Sequence, residues 1–127
     1  MKDIYSDLGL AQGAVPAVLS ATTTDDGIDL QGFNAALVVV ATGAIVSSGD
    51  FTTKLQESDT EGSGYTDVAA ADLLGEFPAS LEASSVVKVG YVGNKRYIRT
   101  VTTKNSGTSI AAAIVVVKGH ASDAPVA

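Results

Sequence analysis

The sequence predicts an all-β fold: an antiparallel β-sandwich, with a jelly roll as one form of it, and a short irregular N-terminal arm. Three observations point there. Val and Thr recur in runs of period two, which suits pleated, half-buried surfaces. Clusters of Gly, Asp, Asn and Ser punctuate those runs at regular spacing. No long helical pattern alternates with them. A closed barrel is the second arrangement that this pattern allows.

Residues 1–14 form the expected arm. Ile4, Tyr5, Leu8 and Leu10 stand there among Asp3, Ser6, Asp7, Gly9 and Gln12. The Ile4/Leu8 spacing allows one helical turn, but Gly9 and Gly13 disfavour it. An arm with four large apolar groups packs either on its own body or on a neighbour. The sandwich domain is expected over 15–119. Pro16 suits a strand start or an edge, and 17–22 reads as the first strand. Residues 23–27 turn, with Asp26-Gly27 as the hairpin signal. A short return over 28–30 and a bend over 31–34 follow. The run 35–41 is apolar at every position, which predicts a central strand with both faces covered.

Turns are expected at 42–43 and 47–50. Residues 51–68 read as a hairpin. Phe51, Thr53, Leu55 and Glu57 share one face, and Thr52, Lys54, Gln56 and Ser58 the other. Its loop covers 59–64, and Tyr65-Thr66-Asp67-Val68 begins the return. Residues 69–75 suit one helical turn stopped by Gly75, and 76–79 a loop. A strand over 84–92, a tight turn at Gly93-Asn94 and a return over 95–103 come next. In that return Tyr97, Arg99, Val101 and Thr103 alternate with Ile98, Thr100 and Thr102. After a turn at 105–107, residues 109–118 form the last long apolar strand. The runs 35–41 and 109–117 are expected to lie side by side at the centre. Residues 120–127 are expected as a C-terminal tail.

At 127 residues one domain can bury a core without disulfide or metal staples. The absence of Cys excludes thiolate nucleophiles and Cys-based zinc sites. With 8 Lys and Arg against 14 Asp and Glu, the chain lacks a phosphate-binding footprint, so no nucleic-acid partner is expected. Residues 1–7 carry acids and no apolar segment, which predicts no signal peptide. The apolar run 35–46, broken by Thr42 and Gly43, falls far short of the ~20 residues of a spanning helix, so no membrane partner is expected either.

Reactive constellations are missing from the pattern. A serine nucleophile needs a base, and the one histidine, His120, sits in the expected tail. No G-x-S-x-G elbow occurs, and no enzyme is expected. Asp25, Asp26 and Asp29, and Glu57, Asp59 and Glu61, could offer oxygens to calcium. Acids in turns serve turn formation equally well, and EF-hand spacing is absent, so no metal and no cofactor is expected. Lys95, Arg96 and Arg99 form the basic cluster, with Tyr97 among them. They suit pairing with carboxylates, in the sheet or on another protein, and Arg99 is the strongest candidate for a buried or interfacial ion pair. Tyr65, Tyr91 and Tyr97 are the aromatic platform that a carbohydrate-binding sandwich would use.

Several segments in order carry a resemblance. They are Met-Lys-Asp-Ile-Tyr-Ser at 1–6, Pro-Ala-Val-Leu-Ser-Ala-Thr at 16–22, and Asp-Gly-Ile-Asp-Leu-Gln-Gly-Phe at 26–33. Lys-Leu-Gln-Glu-Ser-Asp at 54–59, Tyr-Thr-Asp-Val at 65–68 and Gly-Tyr-Val-Gly-Asn-Lys-Arg-Tyr-Ile-Arg at 90–99 complete the set. Over residues 1 to about 118 the chain resembles small proteins encoded among the head genes of tailed bacteriophages and prophages, near the gene for the major capsid protein. Those motifs are structural, and no catalytic residues come with them. The resemblance implies a virion component made in the host cytoplasm. The role it implies is a capsid decoration, or cement, protein that binds the outer surface of the major capsid shell, as a homo-oligomer, and stabilises it. A tail-tube, head–tail joining or fibre-associated module is the alternative within the virion. The expected partner-binding residues are Ile4, Tyr5, Leu8, Leu10, Arg96 and Arg99.

Overall fold

The two long apolar runs meet at the centre of the molecule. In the computed structural model, which describes residues 7–121, β4 (Phe33–Val46) and β10 (Ser109–Ala121) pair antiparallel. Val38 lies opposite Val116, and Val40 opposite Ile114. The other strands are β1 (Gly9–Leu19), β2 (Thr23–Thr24), β3 (Ile28–Asp29), β5 (Asp50–Ser58), β6 (Thr66–Asp67), β7 (Leu73–Leu74), β8 (Val86–Tyr91) and β9 (Tyr97–Ser106). The first sheet runs β1-β10-β4-β8-β7. The second runs β2-β9-β5-β6, with β3 also on β9. All pairings are antiparallel. Two facing sheets in this order make a jelly roll. Among the described residues no helix is long and apolar enough to cross a membrane.

Period-two burial fills the space between the sheets. Val38, Val40, Val89, Val116, Ile110 and Ile114 point inward from the first sheet, and Phe51, Leu55 and Ile98 from the second. Leu81, in the loop before β8, closes one side, and its N–H donates to the Phe51 carbonyl at 2.8 Å. The inner side chains are mostly Val, Ile and Ala, so the core is thin and the two sheets must sit close. Polar groups enter it as threonine. Thr53 and Thr102 face each other across β5 and β9, fully buried, with their hydroxyls 3.1 Å apart.

Two of the turns that carry the chain between the sheets touch each other. One joins β4 to β5 through Ser47, Ser48 and Gly49, and the other joins β9 to β10 through Gly107. The turns touch backbone to backbone. A Cβ on Gly107 would collide with the Ser48 carbonyl, and one on Gly49 with the Ser109 carbonyl. Gly107 also holds φ +77°, where side chains are disfavoured.

Several boundaries differ from expectation. Gly9 to Ala14, expected within the irregular arm, already pair with β10. The ladder supplies hydrogen bonds that outweigh the cost of Gly9 and Gly13, and the register shifts after Gln12 and again after Ala14. The expected helical turn is a 3-10 turn at Ala70–Asp72 that leads straight into β7. The last strand continues past 118 to Ala121, because Gly119 and Ala121 still pair with β4. The expected hairpin forms, with Gln56 opposite Asp67 and Glu57 opposite Thr66, but β9 is the main partner of β5. The largest difference lies at 35–41. Only Ala36, Val38 and Val40 are buried, while Leu37 and Val39 are half-buried and Ala41 is exposed. The second face that the apolar run calls for is left uncovered by the described residues.

The Thr53–Thr102 pair yields a prediction for stability. Thr102→Val strands the buried Thr53 hydroxyl and costs about 1–3 kcal/mol. The double change Thr53→Val with Thr102→Val removes both hydroxyls at nearly constant shape. It should cost less than the sum of the single changes, as measured by urea unfolding in a double-mutant cycle. Strict additivity would show that the two hydroxyls do not interact.

Candidate interaction surface

A five-stranded antiparallel sheet with one solvated face ordinarily alternates apolar-in and polar-out. The first sheet does not. Its register places Leu10, Val117, Leu37, Gly90 and Leu74 in one row across the outer face. The next row is Gln12, Val115, Val39 and Lys88. A third holds Ala113, Ala41 and Val86, and Val18 with Ala111 starts a fourth. Leu10, Val18, Leu74 and Val86 are 71%, 68%, 64% and 74% exposed, and Leu37, Val39, Val115 and Val117 are half-buried. Only Gln12 and Lys88 are polar in these rows. A contiguous apolar surface of this kind marks an interaction site.

The outer face of the second sheet is built for water. Lys54 Nζ lies 3.2 Å from an Asp67 carboxylate oxygen, and Gln56 Nε2 donates to the same carboxylate at 3.0 Å. Those contacts, the Gln56 hydrogen bond above all, hold the Asp67 carboxyl below the usual range. Arg99 Nε donates to Gln56 Oε1 at 2.8 Å, and the guanidinium lies 4.1 Å from the centre of the Tyr65 ring. Arg96 grips Asp29 with two hydrogen bonds of 2.9 Å and lies over Tyr97. Every second-sheet partner named here is within the chain, and exposed pairs of this sort add little net stability.

The expected partner-binding residues therefore separate. Leu10 lies on the apolar outer face. Leu8 is half-buried beside Gly119. Ile4 and Tyr5 lie outside the described residues. Arg96 is held by Asp29 at the rim of the second sheet. Within the chain Arg99, the candidate for a buried or interfacial ion pair, meets an amide and an aromatic ring, because its cross-strand neighbour is Gln56. Sequence reading missed Val18, Leu37, Val39, Leu74, Val86, Val115 and Val117. Their signal was the apolar character of 35–41 and 109–117 at both strand parities.

The acidic clusters are already engaged. Glu57 accepts a hydrogen bond of 2.7 Å from the Tyr91 hydroxyl, Asp59 pairs with Lys95 at 2.9 Å, and Asp25 accepts one of 2.6 Å from Thr100. Burial pushes the Asp25 carboxyl upward against that bond, and burial, then the Glu57 contact, pushes the Tyr91 hydroxyl upward. No group of three potential metal ligands occurs among the described residues. The carbohydrate platform is not assembled, since Tyr91 is 3% exposed and Arg99 covers Tyr65. A cleft of about 480 Å³ lies between the β3–β4 bend and the β8–β9 turn, lined by Phe33, Asn34, Tyr91, Asn94, Lys95 and Arg96 among others. Both of its cations are spent on Asp59 and Asp29.

The fold has counterparts among solved structures. The crystal structure of the SPBc2 prophage-derived protein YomS is similar with a TM-score of 0.52 at 11% identity, covering 92% of this chain and 98% of that one. Two structures of infectious bursal disease virus, of the Gx strain and of the VP2 subviral particle, align with TM-scores of 0.46 at 15% and 12% identity. Each alignment covers 93% of this chain, and this chain spans about a third of theirs. No family model matches the chain, and no curated protein does. At these identities the likeness is one of fold.

The Asp29–Arg96 pair gives a titration prediction. The two hydrogen bonds from Arg96 hold the Asp29 carboxyl down to about 2, against an ordinary 3.8. A lowered folded-state value means that the pair's stabilisation is complete above 3.8 and is lost as pH falls through about 2. Carboxyl NMR of the Arg96→Ala chain should find the Asp29 midpoint moved up towards 3.8. An unmoved midpoint would assign the depression to another cause.

Proposed function

We propose that this chain is a structural component of a phage virion, specifically a decoration protein that binds the outer surface of the major capsid shell and stabilises it. The observation that carries the reading is the apolar outer face of the first sheet. Both parities of the two central strands are apolar, and the described residues leave one parity uncovered, as a surface built to assemble with protein would be. The acidic charge and the laced second sheet keep it soluble until that surface is covered. A cement protein acts by adding contacts, repeated over the shell. Each Val or Leu side chain fully buried contributes about 1.5–3 kcal/mol, and repetition multiplies small gains. The prophage origin of YomS agrees with the resemblance of the sequence to phage head-gene products.

The test is particle composition. Heads purified from phage that encode the chain should contain it in many copies, and heads assembled without it should lose integrity at lower temperature. Its absence from purified particles sinks the proposal. A few copies per particle, confined to the vertex or tail, would replace decoration with a joining or tail role.

A further inference from the structure

We infer that the outer face of the first sheet is closed by a second copy of this chain, packed face to face about a two-fold axis parallel to the strands and between β10 and β4. The inference deepens the assembly role proposed above and rests on its premise that this face is a protein interface.

The arrangement of the rows selects the occupant. A two-fold axis along the strands keeps each row in place and exchanges its flanks, so β1 of one copy lies over β8 of the other and β10 over β4. Leu10 then faces Gly90, which leaves room for its side chain beside Leu74. The two polar residues of the face, Gln12 and Lys88, stand at opposite ends of the next row. The same rotation brings the Gln12 amide of each copy to the Lys88 ammonium of the other. An unrelated apolar surface would have to supply a partner for each. The rows hold no carboxylate, so two acidic chains meet here without opposing their negative charges. Between the polar ends, Val115, Val39, Ala113 and Ala41 are small and interdigitate at the roughly 30° angle of aligned sheets.

The size also fits. Five strands about 4.8 Å apart, and rows about 6.8 Å apart along them, give a plan area on the order of 500 Å². Side chains standing off the sheet raise the accessible area towards the roughly 800 Å² per partner of a stable interface. Homodimer interfaces are the apolar class, as this face is.

Sedimentation of the full chain over a range of concentrations tests the inference. A two-copy species that dissociates on dilution is expected. Leu10→Glu and Val86→Glu alter exposed side chains, so the fold should survive by circular dichroism, and each should weaken association about tenfold or more. Lys54→Glu, on the second sheet, should leave association unchanged. Gln12→Lys should weaken pairing by opposing Lys88, and adding Lys88→Glu to it should restore the pairing. A wild-type chain that stays monomeric, or association indifferent to Leu10→Glu and Val86→Glu, overturns the inference. Failure of Lys88→Glu to rescue Gln12→Lys overturns the two-fold register. The virion reading fails separately: a monomer found on heads defeats only this inference, and a face-to-face dimer missing from particles defeats only that reading.

Discussion

The β4–β10 ladder is the contact on which the remaining structure depends. It joins the two longest strands over most of their length; β1 attaches to β10 and β8 to β4, with β7 added outside β8. Its inner residues, Val38, Val40, Ile114 and Val116, make the floor on which Phe51, Leu55 and Ile98 pack. Its outer residues, Leu37, Val39, Val115 and Val117, make the apolar surface. Core and surface thus arise from one pairing. A one-residue slip in register would exchange them, but both parities are apolar, so hydrophobicity alone would tolerate it. Register must be set elsewhere. The crowded crossing at Gly49 and Gly107 does so, because it ties the ends of β4 and β10 to the turns that enter and leave the second sheet.

The second sheet solves the opposite problem. Its inner face carries Thr53, Thr100 and Thr102 beside Phe51, Leu55 and Ile98. Threonine keeps the β-branched shape that a strand favours, yet its hydroxyl must be satisfied. Thr53 and Thr102 satisfy each other, and Thr100 donates to Asp25. Among the described residues no buried side-chain polar atom lacks a partner. The polar outer face then needs only the short-range network of Lys54, Gln56, Asp67 and Arg99 to remain in water. Two sheets of similar size end with opposite outer chemistry, and that difference orients the molecule towards whatever covers the first.

Much of this was legible in the sequence. The sandwich, the adjacency of 35–41 and 109–117, the inward set Phe51, Thr53 and Leu55, and the alternation of 97–103 all follow from period two. The start of β1 was not, because Gly9, Ala11 and Gly13 carry no side chain large enough to register as alternation. Arg99 is a different case. Its chemistry was correctly read as seeking a partner, but partner identity depends on cross-strand register, which places Gln56 rather than a carboxylate opposite it. The interaction surface was half legible. The continuous apolar run predicted two covered faces, and the described residues cover one. What sequence could not supply was that the second cover had to come from outside the described residues.

An exposed sheet can associate by its edge or by its face, and this one is shaped against the first. Among the described residues β1 is the long free edge of the first sheet. An edge of that length invites another strand unless something interrupts it. Here the register shifts twice, and Pro16 between β1 residues has no N–H to offer. The opposite edge is β7, only two residues long. Edge pairing could extend without limit, as in a fibril, whereas a face closes after one partner. Small residues sharpen the choice. Val and Ala lose little side-chain entropy on burial, so a flat surface made of them associates at low cost. In the proposed dimer Gln12 and Lys88 supply the polar contacts that a wholly apolar surface would lack for selecting one alignment over its neighbours. The bulged edge and the apolar face are therefore two parts of one constraint, which in the proposed dimer directs association through the β4–β10 surface and stops it there.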